Sequence, residues 1–152
     1  MEFLAGLHPR FVHFPIVLFI LYFIFETAAI FWKKEGLSLS AYILLIGGIV
    51  TALIAVMTGN QAETVAQTLI PKDSALKNLI ELHQDYATTV LWFYFGILVL
   101  RTYLMVKKKF AGNIRMIFIA LGLMGCYLVY MAGSVGGDLV FKYGIGTQLF
   151  GK

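Results

Sequence analysis

The sequence predicts an all-α integral membrane protein, one domain built as a four-helix transmembrane bundle. Three observations carry that reading. Of the 152 residues, 60% are hydrophobic and 13% charged, whereas a soluble domain carries about a quarter charged residues. The mean hydropathy is +0.84. The apolar residues also fall into four runs of about 20 residues, the length a helix needs to cross roughly 30 Å of hydrocarbon. Helices satisfy their own backbone polar groups, which lipid cannot do. No polar linker separates the runs, so residues 1–152 read as a single transmembrane domain.

The expected helices cover about 11–32, 40–59, 75–106 and 114–135. The first run, Phe11 to Trp32, is too long for a signal-peptide core and has no small-residue cleavage site after it, so it should remain as a signal anchor. A short basic link, Lys33 to Ser38, leads to the second run, Ser40 to Gly59. The middle link, Asn60 to Gln84, is the longest. It breaks at Ile70-Pro71-Lys72-Asp73-Ser74, where Asp73 or Ser74 suits a helix N-cap. The spacing of Leu76, Leu79, Ile80 and His83 then predicts that Ala75 to Gln84 extends the third helix above the membrane. The third run ends at Val106. A second basic link, Lys107 to Arg115, precedes the fourth run, Ile114 to Val135.

The tail 136–152 is too short and glycine-rich to span again, and is expected to fold back over the outer end of the bundle. Gly47, Gly48, Gly122, Gly125 and Gly133 are read as packing residues that let helices approach closely. No repeat with a period of 20 to 50 residues is evident.

The formal net charge of +4 does not indicate nucleic-acid binding, because the lysines stand at the ends of apolar runs, where they fix orientation. The positive-inside rule puts both basic links in the cytoplasm, leaving both termini and the middle link outside. The single cysteine, Cys126, excludes an internal disulfide and any cysteine-based metal or covalent haem motif.

The candidate site residues are the three histidines. His8 and His13 stand where the first run begins, and His83 stands where the third begins. The predicted topology puts all three at one depth near the outer face. Histidine at a membrane helix end ligates haem iron, binds another metal or passes protons. Two histidines on two facing helices suit a haem iron, and His13 with His83 meets that requirement. His8 lies about 140° around an ideal helix from His13. With Pro9 as the first helical residue, His8 would sit in the cap position as an auxiliary ligand, a lid or a proton acceptor for a quinol. A three-histidine copper or zinc site is the alternative.

On helix three Ala87, one turn from His83, would let a flat macrocycle approach, or serves simple helix packing. Glu26 and Arg101 lie roughly 10 Å inside the opposite edge, where an unpaired charge costs several kcal/mol, so the two are expected to form a structural ion pair. One difficulty attends this pairing. Glu26 is about 140° around the helix from His13, while Arg101 shares the face of His83; a kink at Pro15 is the expected remedy.

These residues carry a resemblance. His8-Pro9-Arg10-Phe11-Val12-His13-Phe14-Pro15 is similar to the His-Pro-x-x-Val-His-Phe-Pro signature of the small bacterial membrane proteins grouped as Domain of Unknown Function 2231. Thr58-Gly59 with Ala62, the helix-opening His83, and the tail Gly136-Gly137-Asp138-Leu139-Val140-Phe141-Lys142-Tyr143-Gly144-Ile145-Gly146 follow the same pattern. Tyr143 stands where that family usually has histidine. The resemblance implies a four-helix protein near respiratory or cytochrome systems, with Tyr143 substituting for a fourth site histidine and one haem rather than two.

Together these readings predict a haem b-binding electron-transfer protein of the bacterial inner membrane, both termini periplasmic. Iron would be held by His13 and His83, with His8 and Tyr143 as further cofactor-binding groups. Expected partners are the lipid bilayer, other membrane or cytochrome subunits, and a quinol. The chain reads as an electron-transfer or accessory subunit rather than a stand-alone enzyme. The competing expectation is a structural or assembly subunit without its own redox centre.

Overall fold

The structure, a computed structural model, describes residues 2–70 and 75–145. Five helices follow one another: α1 (Glu2–Phe11), α2 (His13–Phe31), α3 (Glu35–Leu69), α4 (Ala75–Val106) and α5 (Ile114–Phe141). There is no strand among the described residues. Four stretches are long and apolar enough to cross a membrane: Ala5–Phe31, which joins α1 to α2, then Glu35–Thr68, Ala75–Val106 and Ile114–Phe141. The protein is thus an all-α membrane bundle. Large apolar side chains such as Val17, Ile24, Ile43, Trp92 and Val99 are exposed, as expected of a surface whose solvent is lipid.

Three expected boundaries shift, each for a local reason. The chain is already helical at Glu2, so Pro9 lies inside α1 and does not open it. Prolines 9 and 15 flank the break at Val12. Each lacks the N–H that would bond four residues back, and the Val12 N–H donates to the His8 carbonyl at 3.2 Å across the joint. Helix α1 packs against α3, where His8 reaches the Ala55 carbonyl.

The second expected helix does not stop at Gly59. It runs on to Leu69, because Gln61, Ala62, Glu63, Ala66 and Gln67 are good helix formers and the next breaker is Pro71. The fourth expected helix does not stop at Val135 but passes through Gly136-Gly137 to Phe141. It ends at a glycine in the left-handed conformation. Gly144, at φ +69°, lets the Ile145 N–H reach the Leu139 carbonyl and the Gly144 N–H reach that of Val140, both at 3.0 Å. Residues 136–141 are therefore helix and not a fold-back. The caps expected at Asp73 or Ser74, and the tail from 146, lie outside the described residues.

Around the bundle α2 touches α3 and α5, and α4 touches α3 and α5, while α2 and α4 stand diagonally opposite. The diagonal is bridged by side chains. Phe19 and Tyr94 stack face to face at its middle, centroids 3.7 Å apart. They belong to the main core, with Tyr22, Leu45, Ile97 and Phe118. A second small core, Ala66, Ile80 and Leu139, joins the extended ends of α3, α4 and α5. Between the two cores lies a polar layer that contains the histidines.

Candidate functional site

The structure brings together His8 and His83. Their ring centroids are 6.4 Å apart and their planes cross at 74°. His8 hangs from α1 onto α3, where Nδ1 lies 3.0 Å from the Ala55 carbonyl oxygen and 3.3 Å from Thr58 Oγ1. His83 hangs from α4 onto α5, where Nδ1 lies 3.0 Å from the Ala132 carbonyl oxygen. A carbonyl can only accept, so each Nδ1 carries the proton and donates it. In each neutral ring the lone pair is then on Nε2, which makes no hydrogen bond among the described residues. This is how a metal-ligating histidine is held: one nitrogen donates to a carbonyl, which fixes tautomer and ring orientation, and the other is left for the metal.

Two glycines make the arrangement possible. A Cβ on Gly59 would come within 3.0 Å of His8 Cε1, and a Cβ on Gly136 within 2.7 Å of His83 Cε1. Each imidazole therefore lies against bare helix backbone, with its donor aimed at the carbonyl one turn earlier on the same helix. Thr58 is buried, and its hydroxyl donates to the Ile54 and Ala55 carbonyls. Gln84 Nε2 donates to Asn60 Oδ1 at 3.1 Å, beside the pair and tying α4 to α3.

The pairing expected for His13 falls instead to His8. His13 is exposed, on the first residue of α2, and turned away from the diagonal. The phase of the helix explains this. Glu26 is buried and lies 18 residues after His8, five full turns at 3.6 residues per turn. Pro15, Phe19 and Tyr22 are buried on that stripe as well. His8 is in register with Glu26 and His13 is not, so the expected conflict of faces does not arise. Tyr143 is 48% exposed in the turn after α5, two helical turns beyond Gly136. Ala87 is half-buried one turn from His83. Among the described residues no three metal-ligating side chains come together, so the three-histidine cluster considered for copper or zinc is not assembled.

At the opposite end Glu26 and Arg101 meet as expected. Arg101 Nη1 is 2.7 Å from Glu26 Oε2, and both side chains are 0% exposed. Arg101 Nη2 also donates to the Ser38 carbonyl at 2.7 Å and to Ser38 Oγ at 3.0 Å. Sequence reasoning missed Arg115, whose Nη2 approaches Glu26 Oε1 at 3.7 Å. It had been grouped with the basic link, yet it sits in the first turn of α5. Phe110 lies between the two guanidinium groups, 4.8 Å from Arg101 and 5.6 Å from Arg115.

Comparison with known proteins agrees with the fold and the N-terminal motif. A family model described as "Predicted membrane protein (DUF2231)" matches residues 5–149. The chain belongs to this family. No curated protein and no solved structure matches it. The match begins just before His8 and runs past Gly136, so every residue of the histidine pair and its two glycine cradles lies inside the DUF2231 region.

Proposed function

We propose that this DUF2231 protein binds one haem b between His8 and His83 and transfers electrons at that face of the membrane. The observation that carries the reading is the paired, pre-oriented imidazoles with both Nε2 atoms uncommitted. Metal–nitrogen bonds of about 2 Å, with about 1 Å more from nitrogen to ring centre, separate the centroids of two imidazoles across one metal by about 6 Å. The observed separation is 6.4 Å. The donor set points to the same class of ligand. Haem brings four nitrogens of its own and needs two from the protein, whereas a structural zinc needs four protein ligands and a catalytic one three.

In this reading His8 and His83 would hold the iron. Thr58 and the carbonyls of Ala55 and Ala132 fix their tautomers, and Gly59 and Gly136 fix their distance. Bound haem would supply one-electron chemistry. The chain's part is to keep both imidazoles neutral, crossed and rigid. His13 is exposed on the outer surface of α2, where it would meet lipid or a quinol and not the iron. The dense lysines of the two short links favour placing them in the cytoplasm, which puts the pair at the periplasmic side of a bacterial inner membrane. A quinol or a partner cytochrome would be the exchange partner there.

The test is an absorption spectrum of detergent-purified protein from haem-replete cells, air-oxidised and then reduced with dithionite. A Soret band that shifts, with sharp reduced α and β bands, is the expected result. Protein absorbance alone would remove the haem reading and leave an accessory subunit of a larger membrane complex.

A further inference from the structure

The two halves of the chain repeat one another in register. On α1 and α2 the inward stripe is His8, Pro15, Phe19, Tyr22 and Glu26. On α4 it is His83, Val90, Tyr94, Ile97 and Arg101. The second set is the first shifted by 75 positions throughout. The partner helices repeat as well. Buried Ala41, Leu45, Gly48 and Ala52 on α3 correspond to buried Phe118, Gly122, Gly125 and Val129 on α5, each shifted by 77 positions.

The contacts repeat along with the spacing. His8 bonds the Ala55 carbonyl and lies on Gly59; His83 bonds the Ala132 carbonyl and lies on Gly136. Phe19 packs on Gly48, and Tyr94 packs on Gly125. Ala55 and Ala132, like Gly59 and Gly136, are themselves 77 apart.

Equivalent positions then meet across the diagonal: His8 with His83, Phe19 with Tyr94, and Glu26 with Arg101. Helices α2 and α4 run in the same direction, from the histidine layer to the charged layer. A two-fold relation that superposes them must therefore have its axis along the bundle, which in a membrane is the bilayer normal. This is the parallel kind of internal repeat.

We propose that the chain is two copies of one two-helix histidine unit, and that its site, lying on the pseudo-two-fold axis, takes a flat ligand held alike from both faces, a metalloporphyrin standing edge-on to the membrane. This rests on the haem reading and goes further, since that reading fixes neither the symmetry of the site nor the attitude of the ligand. The line joining two ligands related by a two-fold axis is perpendicular to that axis. The porphyrin plane is perpendicular to the ligand line, so it contains the membrane normal.

The experiment is polarised absorption of the full-length protein, with its haem, in oriented bilayer stacks. Soret and α-band dichroism should report a porphyrin plane upright in the membrane. Dichroism that places the plane parallel to the bilayer would overturn this proposal while leaving haem binding intact. Absence of any Soret band from the same sample would instead overturn the haem reading, and this proposal with it. His8→Ala and His83→Ala supply a second readout. Equivalent ligands leave the same five-coordinate spectrum from either variant, and a six-coordinate spectrum surviving in either one would defeat the equivalence.

Discussion

The same helix diagonal ends in two different ways. At one end Glu26 and Arg101 touch at 2.7 Å, and Ser38, Phe110 and Arg115 close around them. At the other end two imidazoles satisfy one nitrogen each on neighbouring carbonyls and lie crossed at 74°, centroids 6.4 Å apart, with the second nitrogen unused. Both pairs occupy equivalent positions, five turns apart on their helices. The difference teaches which end is structural. Opposite charges attract each other directly, and a buried pair of that kind latches helices together. Two neutral imidazoles cannot do that for each other. Their order comes from the glycine cradles, and it leaves two lone pairs available for something else.

The largest expected effect is at the charged end. Arg101→Ala leaves Glu26 buried beside only Arg115 at 3.7 Å. Breaking a buried pair from one side costs about 3–5 kcal/mol, so unfolding in mixed detergent micelles should shift by that amount, with any haem spectrum of the folded fraction unchanged. A shift below about 1 kcal/mol would mean that this end is not the latch.

A smaller effect is expected at the cradle. Gly136→Ala places a methyl within 2.7 Å of His83 Cε1, and overpacking of this kind costs about 1–3 kcal/mol. Gly59→Ala is milder, since its Cβ would stand 3.0 Å from His8. Here the spectrum and the stability should change together, with Gly136→Ala the stronger variant; the reverse order would contradict the cradle geometry.

Much of this was legible in the sequence, and the losses have physical causes. Apolar run length gave the four spans, and burial cost gave the Glu26–Arg101 pair. Sequence spacing pairs His13 with His83 because Pro9 reads as a helix start, whereas the structure brings His8 to His83. With α1 continuous through Pro9, the stripe from His8 to Glu26 would have been visible as a multiple of the helical period. The repeat was missed because its period is 75 to 77 residues and its identities are confined to contact positions. At the other inward positions the halves differ, as with Glu26 against Arg101, because the two chemistries at that end must be opposite to attract. The helical continuations through Gly59 and Gly136 were missed for a related reason. A glycine that ends a helix and a glycine that receives a side chain look the same until the side chain is placed.

The smallest stability effects fall on the histidines themselves, and they divide the three most sharply. His83→Ala removes the bond to the Ala132 carbonyl and His8→Ala the contacts to the Ala55 carbonyl and Thr58, and one such hydrogen bond is worth about 0.5–1.5 kcal/mol. The carbonyls of Ala55 and Ala132 lie within α3 and α5, where the backbone ladder continues to serve them. Neither variant should approach the loss from Arg101→Ala, yet each should abolish the six-coordinate spectrum. His13→Ala should change stability by no more than about 0.5 kcal/mol, the usual range for an exposed position, and should leave the spectrum as it was. Parallel titration of the three variants against wild type, reading Soret absorbance and unfolding midpoint from one sample, checks all of this together. Should His13→Ala erase the band while His8→Ala spares it, iron would be held by the pair that sequence spacing first suggested. The 6.4 Å interval between His8 and His83 would then be ordinary packing.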